Sequence, residues 1–143
     1  MTEEEDYRGY HSAPGRDNEG VPMYAMDKIY PEDIYSPQGI RYYGSGGREA
    51  VWKAADRESM DAILRTKGRP NADVVIYRAV PLKATKINNR DWVTPSLSYA
   101  RIHLNGPLNG EGRILKKTVK AKDLYSEGNS INEFGYDPEG KED

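Results

Sequence analysis

The 143-residue chain contains no cysteine, one phenylalanine and two histidines. Without thiols there is neither a disulfide framework nor a cysteine-built zinc or iron–sulfur site, and His11 and His103, with no Asp/Asn-rich loop beside them, make a poor ligand set for any other metal. No apolar run approaches the roughly 18 residues that a membrane helix needs. The opening Met1-Thr2-Glu3-Glu4-Glu5-Asp6 has the wrong sign for a signal or transit peptide, so no membrane partner is expected. There is no Gly-x-Ser-x-Gly elbow around a nucleophile, and Gly44-Ser45-Gly46-Gly47-Arg48 lacks the Lys-Ser/Thr of a phosphate-binding loop and reads as a flexible turn. Aliphatic residues are scarce too. Leu, Ile, Val and Phe number 24, about a sixth of the chain, below the roughly 20% at which disorder becomes a serious expectation.

Tyrosine fills part of that gap, with 11 copies, and a net charge of only −2 argues against a self-repelling disordered chain. A core rich in phenols must give their hydroxyls partners or place them at the edge of a wet cleft. The charge is unevenly spread. Residues 1–6 carry −4 and residues 139–143 carry −2, which leaves +4 on residues 7–138. The ends read as acidic solubilising tails around a single domain at 7–138. Its mildly basic body suits an anionic small molecule or nucleotide better than bulk duplex.

Residues 1–47 hold seven of the tyrosines but only four of the 24 strong apolar residues, Val21, Ile29, Ile34 and Ile40. The expectation is an irregular, Tyr-rich wrap over 7–47, turning at Pro14-Gly15, Pro22, Pro31, Pro37 and Gly44–Gly47, laid over a core at 48–138. A wrap of this length is more often part of a binding site than padding.

Regular elements are expected after residue 48. Val51, Ala54, Ala55, Ile63 and Leu64 predict a helical stretch from Arg48 to Lys67 ending at Gly68, either one long helix or two short ones divided around Asp56. Asp73 to Val80 is β-branched and closes at Pro81, a strand signal. Asp91 to Thr94 predicts a short strand, after which Thr94 is a suitable N-cap with Pro95 in the first turn of a helix reaching Leu104. A Gly-rich loop at 105–112 leads to a strand from Arg113 to Ala121. A last strand is expected at Ile131 to Phe134, after a turn at Ser126 to Ser130. Helix followed by several strands with one intervening helix predicts a compact α+β domain.

Three pieces are informative as an ordered set: an Arg within a strand (Tyr77-Arg78-Ala79-Val80), hydroxyls closing a second strand (Trp92-Val93-Thr94-Pro95-Ser96), and a lone Glu near the end (Ser130-Ile131-Asn132-Glu133). The set resembles the Arg-Ser-Glu class of ADP-ribosyltransferases, in particular small phage-associated domains, over residues 7–138 and most strongly from Val74 to Tyr136. The resemblance implies a split β-sheet core, NAD as co-substrate and Glu133 as the catalytic carboxylate. It further implies Arg78 as the dinucleotide anchor and Thr94 with Ser96 as positioning hydroxyls; Tyr77, Trp92 and Tyr99 read as core or cleft wall, where an aromatic ring stacked on the nicotinamide suits the mechanism. A macromolecular acceptor, in the first instance a protein, and action in a bacterial host cytoplasm against host or defence machinery follow from the same likeness, with virion association as an alternative. Bond cleavage between nicotinamide and ribose passes through an oxocarbenium-like state, which a fixed carboxylate stabilises.

Two departures stand out. The family's Ser-Thr-Ser run reads Thr94-Pro95-Ser96 here, and the second carboxylate of arginine-modifying members is replaced by Ile131. The latter counts against an arginine acceptor and leaves NAD hydrolysis open. Tyr125, Glu127, Asn129 and Ser130 lie on the loop that the likeness turns toward the acceptor. Taken singly, each residue has an ordinary account: Arg78 as a sheet-edge ion pair, Glu133 as a surface residue, Thr94-Pro95 as a helix start, and His103 as a structural hydrogen-bonder. An inactive binding module on the same fold is a second reading. A third is an oligonucleotide binder using Lys116, Lys117, Lys120 and Lys122.

Overall fold

The computed structural model describes residues 13–16 and 20–138. The acidic tails, Tyr7, Tyr10 and His11 lie outside the described residues. In chain order the elements are β1 (Val21–Pro22), 3-10 turns at Met23–Lys28 and Glu32–Tyr35, α1 (Gly39–Tyr43) and α2 (Ala50–Thr66). There follow β2 (Asp73–Val80), β3 (Trp92–Val93), α3 (Leu97–Asn105), β4 (Arg113–Lys120), a 3-10 turn at Ala121–Asp123, β5 (Leu124–Ser126) and β6 (Phe134–Tyr136).

Strand β2 spans the expected Asp73–Val80. Val74, Ile76, Arg78 and Val80 are all buried, while Val75 and Tyr77 between them are half-buried. It pairs antiparallel with β4 over eight rungs, from Asp73 opposite Lys120 to Val80 opposite Arg113. The other four strands form a second antiparallel sheet in the order β1-β5-β6-β3. The two sheets touch where Tyr77 N donates to the Thr94 carbonyl at 2.8 Å and Thr94 N to the Tyr77 carbonyl at 3.0 Å. The architecture is a compact α+β domain with α2 and α3 packed together and α3 lying on β2.

Helix α2 is continuous, the first of the two expected arrangements, and runs unbroken through Asp56. That carboxylate is 5% exposed and turned inward, where it accepts from Ser45 N and Ser45 Oγ and from Asn132 Nδ2. The helix ends ahead of Gly68, whose φ of +68° is a backbone state that L side chains rarely adopt.

Helix α3 starts later than expected. Thr94 is still extended in its bridge to Tyr77, so the N-cap passes to Ser96, whose Oγ accepts from Tyr99 N at 2.9 Å. The last strand is shifted as well. Ile131 and Asn132 form a turn held by Ser130 Oγ accepting from Asn132 N, and pairing begins only at Phe134.

The N-terminal third does more than wrap. Met23, Met26 and Ile34 are wholly buried in the same core as Ile63, Ile76, Leu124 and Phe134. Tyr24, Tyr30, Tyr35 and Tyr43 pack against that core, and the hydroxyls of Tyr35 and Tyr43 find polar partners as phenols must. Tyr35 accepts from Met26 N at 3.0 Å and Tyr43 donates to Asp33 at 2.5 Å. Burial pushes the Tyr30 phenol up to about 12. Nearer the start, Pro14 lies against Gly135 so closely that a Cβ there would run into the Pro14 carbonyl. Arg16 fixes this crossing by donating to Asp137 and to the Pro138 carbonyl.

Candidate active site

A cleft with about 310 Å³ of empty space, part of it open to solvent, lies at the junction of the two sheets. Its walls come from four stretches of chain: Tyr77, Arg78 and Ala79 of β2, Trp92, Val93 and Thr94 around β3, Tyr99, Ala100 and His103 of α3, and Glu133 just before β6. Six of the seven residues singled out from the sequence therefore share one cavity. The seventh, Ser96, is wholly buried behind it.

Arg78 stands in the inward row of β2, where an apolar residue is the usual occupant, and is 3% exposed. An unpaired charge there would be costly. Its Nη1 donates to the Trp92 carbonyl at 2.6 Å and its Nε lies 3.5 Å from Asp91 Oδ2. Asp91 in turn accepts from Asn88 N at 2.8 Å. The guanidinium thus ties β2 to the start of β3 and forms part of the cleft wall.

Glu133 has a side chain 24% exposed and accepts a short hydrogen bond from the Tyr99 hydroxyl. Its Oε1 also lies 4.0 Å from His103 Nε2. Tyr99 is held from behind by Trp52 of α2 in an edge contact with ring centres 5.9 Å apart. His103, one turn further along α3, tilts against Tyr99 at 5.3 Å. The sequence favours a structural role for His103 over a catalytic one, because nothing in it places the imidazole beside Glu133.

The backbone that carries Glu133 is pinned one residue earlier. Asn132 is 1% exposed, accepts from Ser59 Oγ at 2.6 Å and donates to Asp56 Oδ1 at 3.0 Å. From the sequence Asp56 reads only as a candidate helix break, and Ser59 carries no role at all. The available signal was their i, i+3 spacing on the same face of α2 as Ala55, Met60 and Ile63.

Glu58 is the second omission. Ser96 Oγ and Ser98 N donate to its Oε1 at 2.8 and 3.0 Å, and Ser98 Oγ donates to Oε2 at 2.8 Å. Burial works to raise this carboxyl. The donors from Ser98 and Ser96 and the Arg57 charge outweigh it and hold Glu58 below the usual carboxylate range. Ser96 is thereby committed to capping α3 and clamping it to α2. Thr94 Oγ1 accepts from Ser96 N at 3.1 Å and remains on the cleft wall.

The proposed acceptor loop is polar and in part self-bonded. Asn129 Nδ2 donates to Glu127 Oε1 at 3.0 Å, and Ser126 Oγ accepts from Gly128 N. Ile131 is 1% exposed in the core, so the position two before Glu133 adds nothing to the cleft. On β4, Lys120 pairs with Asp73 at 2.6 Å and Lys117 lies over the Tyr136 ring at 4.8 Å. Among the described residues no helix is long and apolar enough to cross a membrane, and no group of three or more His, Asp or Glu stands together as a metal set would.

No protein-family model, curated protein or solved structure matches the chain.

Proposed function

We propose that the chain is a mono-ADP-ribosyltransferase that cleaves NAD between nicotinamide and ribose and passes ADP-ribose to a macromolecular acceptor, on a split-sheet core of the ADP-ribosyltransferase kind. One observation carries this reading: Arg78, Thr94 and Glu133, drawn from three distant stretches of sequence, line a single cleft together with Tyr77, Trp92 and Tyr99. Its aromatic and polar lining suits the nicotinamide-ribose end of a dinucleotide.

In this reading Glu133 faces the ribose carbon and stabilises the positive charge that appears as the glycosidic bond stretches. Tyr99, braced by Trp52, fixes the carboxylate through its hydroxyl. Arg78 braces the cleft and sets its positive potential toward the dinucleotide phosphates. Trp92, Tyr77 and Tyr99 supply apolar wall for the nicotinamide ring. Ser96 contributes indirectly by fixing α3.

The buried Ile131 favours a second outcome of the same chemistry, with water as acceptor and free ADP-ribose as product. Incubation with NAD labelled in the adenylate, followed by nicotinamide quantitation and autoradiography of a bacterial lysate, separates transfer from hydrolysis. Glu133→Gln should lower nicotinamide release by roughly 10²–10³-fold with an unchanged melting temperature. Release by wild-type protein no faster than buffer would sink the proposal.

A further inference from the structure

Glycosidic cleavage of NAD sets a proton requirement that Glu133 does not meet. The bond breaks with its electron pair going to the pyridine nitrogen, so nicotinamide leaves neutral and needs no acid. The oxygen of a hydroxyl acceptor then bonds to the ribose carbon and must shed its proton. Glu133 is poorly suited to take it, because a protonated carboxyl no longer offsets the cationic ribose, and its Oε1 already accepts from Tyr99. Among the other cleft residues, Arg78 stays protonated and the phenol oxygens of Tyr77 and Tyr99 are poor proton acceptors. One imidazole remains.

Building on the function above, we propose that His103 is a catalytic general base for a neutral hydroxyl acceptor, either water or the side-chain alcohol of a target protein. Its Nε2 lies 4.0 Å from Glu133 Oε1, too far for a hydrogen bond and near enough for both groups to reach one acceptor oxygen. The Tyr99 ring at 5.3 Å sets its orientation, and a side chain 33% exposed leaves it open to an acceptor arriving from solvent. The O–H proton passes to Nε2 as the C–O bond forms, and solvent then removes it.

The imidazole's surroundings are mixed in charge. The Glu133 carboxylate stands beside it, Tyr99 shares its helix, and Tyr77 and Arg78 of β2 line the same cleft. Lys116 of β4 is the cross-strand partner of Tyr77, while Arg113 is bound to the Ala84 carbonyl. From α2, Glu58 is taken up by Ser96 and Ser98.

The test is the pH profile of kcat for nicotinamide release, with free and protein-bound ADP-ribose counted separately, for wild type, His103→Gln, His103→Ala and Glu133→Gln. Wild-type kcat should fall about tenfold per pH unit on the acid side, as for any base that acts in its unprotonated form. Both His103 variants should lose roughly 10²–10⁴-fold in kcat, keep KM for NAD within about threefold, and lose the acid limb. Added imidazole should restore part of the activity of His103→Ala and none to Glu133→Gln. If free ADP-ribose dominates, water is the acceptor; alkali-stable, hydroxylamine-resistant protein label identifies the alcohol. His103 variants that remain within threefold of an active wild type, with its acid limb intact, overturn the base assignment and leave the transferase reading standing. A wild type that releases no nicotinamide overturns both.

Discussion

The contact between Asn132 and Asp56 sets the position of Glu133, and Asn132→Asp probes it with almost no change in shape. In the native protein Asn132 Nδ2 donates to Asp56 Oδ1 at 3.0 Å, between side chains that are 1% and 5% exposed. The substitution puts a second carboxylate there. At an effective dielectric of 20, two charges 3 Å apart repel by about 5.5 kcal/mol. A cheaper escape exists, because the pair can share one bound proton. Holding a proton at pH 7 on a group that ordinarily titrates near 3.9 costs about 4 kcal/mol, at roughly 1.4 kcal/mol per pH unit. Protonation therefore caps the penalty.

Urea denaturation of Asn132→Asp at pH 7 should accordingly show a loss of about 4 kcal/mol relative to wild type. Between pH 7 and about pH 4 the folded variant binds one more proton than the unfolded chain, so its deficit should shrink by about 1.4 kcal/mol for each unit of acidification. Asn132→Ala removes both side-chain bonds without adding charge and should cost roughly 2–3 kcal/mol at pH 7. A deficit under 1 kcal/mol for the aspartate variant, or one that does not vary with pH, would refute the Asn132–Asp56 contact and with it the account of how Glu133 is held.

Two further outcomes follow from the same geometry. Arg78→Met leaves Asp91 buried without its guanidinium and should destabilise the protein by roughly 3–5 kcal/mol, read by urea denaturation; a loss below 1 kcal/mol would place the guanidinium in solvent. Glu58 and Asp137 are both held below the usual carboxylate range, burial working against hydrogen bonds and nearby arginines that outweigh it, so each stabilises the fold above about pH 4.5 and loses that contribution as pH falls through its depressed folded value. Ser98→Ala should cost about 1–1.5 kcal/mol at pH 7 and converge on wild type in acid, and a difference that persisted at pH 2 would contradict the clamp.

The elements that the sequence made legible are those whose pattern is local. Strand β2 follows from a β-branched run closed by Pro81, and α2 from its apolar spacing. Thr94 misled because a good N-cap residue was still engaged in a strand bridge, which only the partner Tyr77 decides. Ile131 to Phe134 looked like a strand by composition, yet Ser130 and Asn132 hydrogen-bond locally and delay pairing until Phe134. The cleft residues were visible as an ordered set of types, whereas Glu58, Asp56 and His103 depend on contacts across 30 or more residues of chain. The methionines explain the apparent shortage of core: Met23 and Met26 are wholly buried, and a count of Leu, Ile, Val and Phe overlooks them.

The crossing of Pro14 over Gly135, locked by Arg16 on Asp137 and Pro138, brings the incoming and outgoing chain together at one spot. Tension applied to the flanking polypeptide from both sides would load this clasp in shear before any strand pair carried force. Gly135 is paired with Trp92, the aromatic wall of the cleft. The cleft is thus one backbone rung from the point where a pull on the chain is first felt.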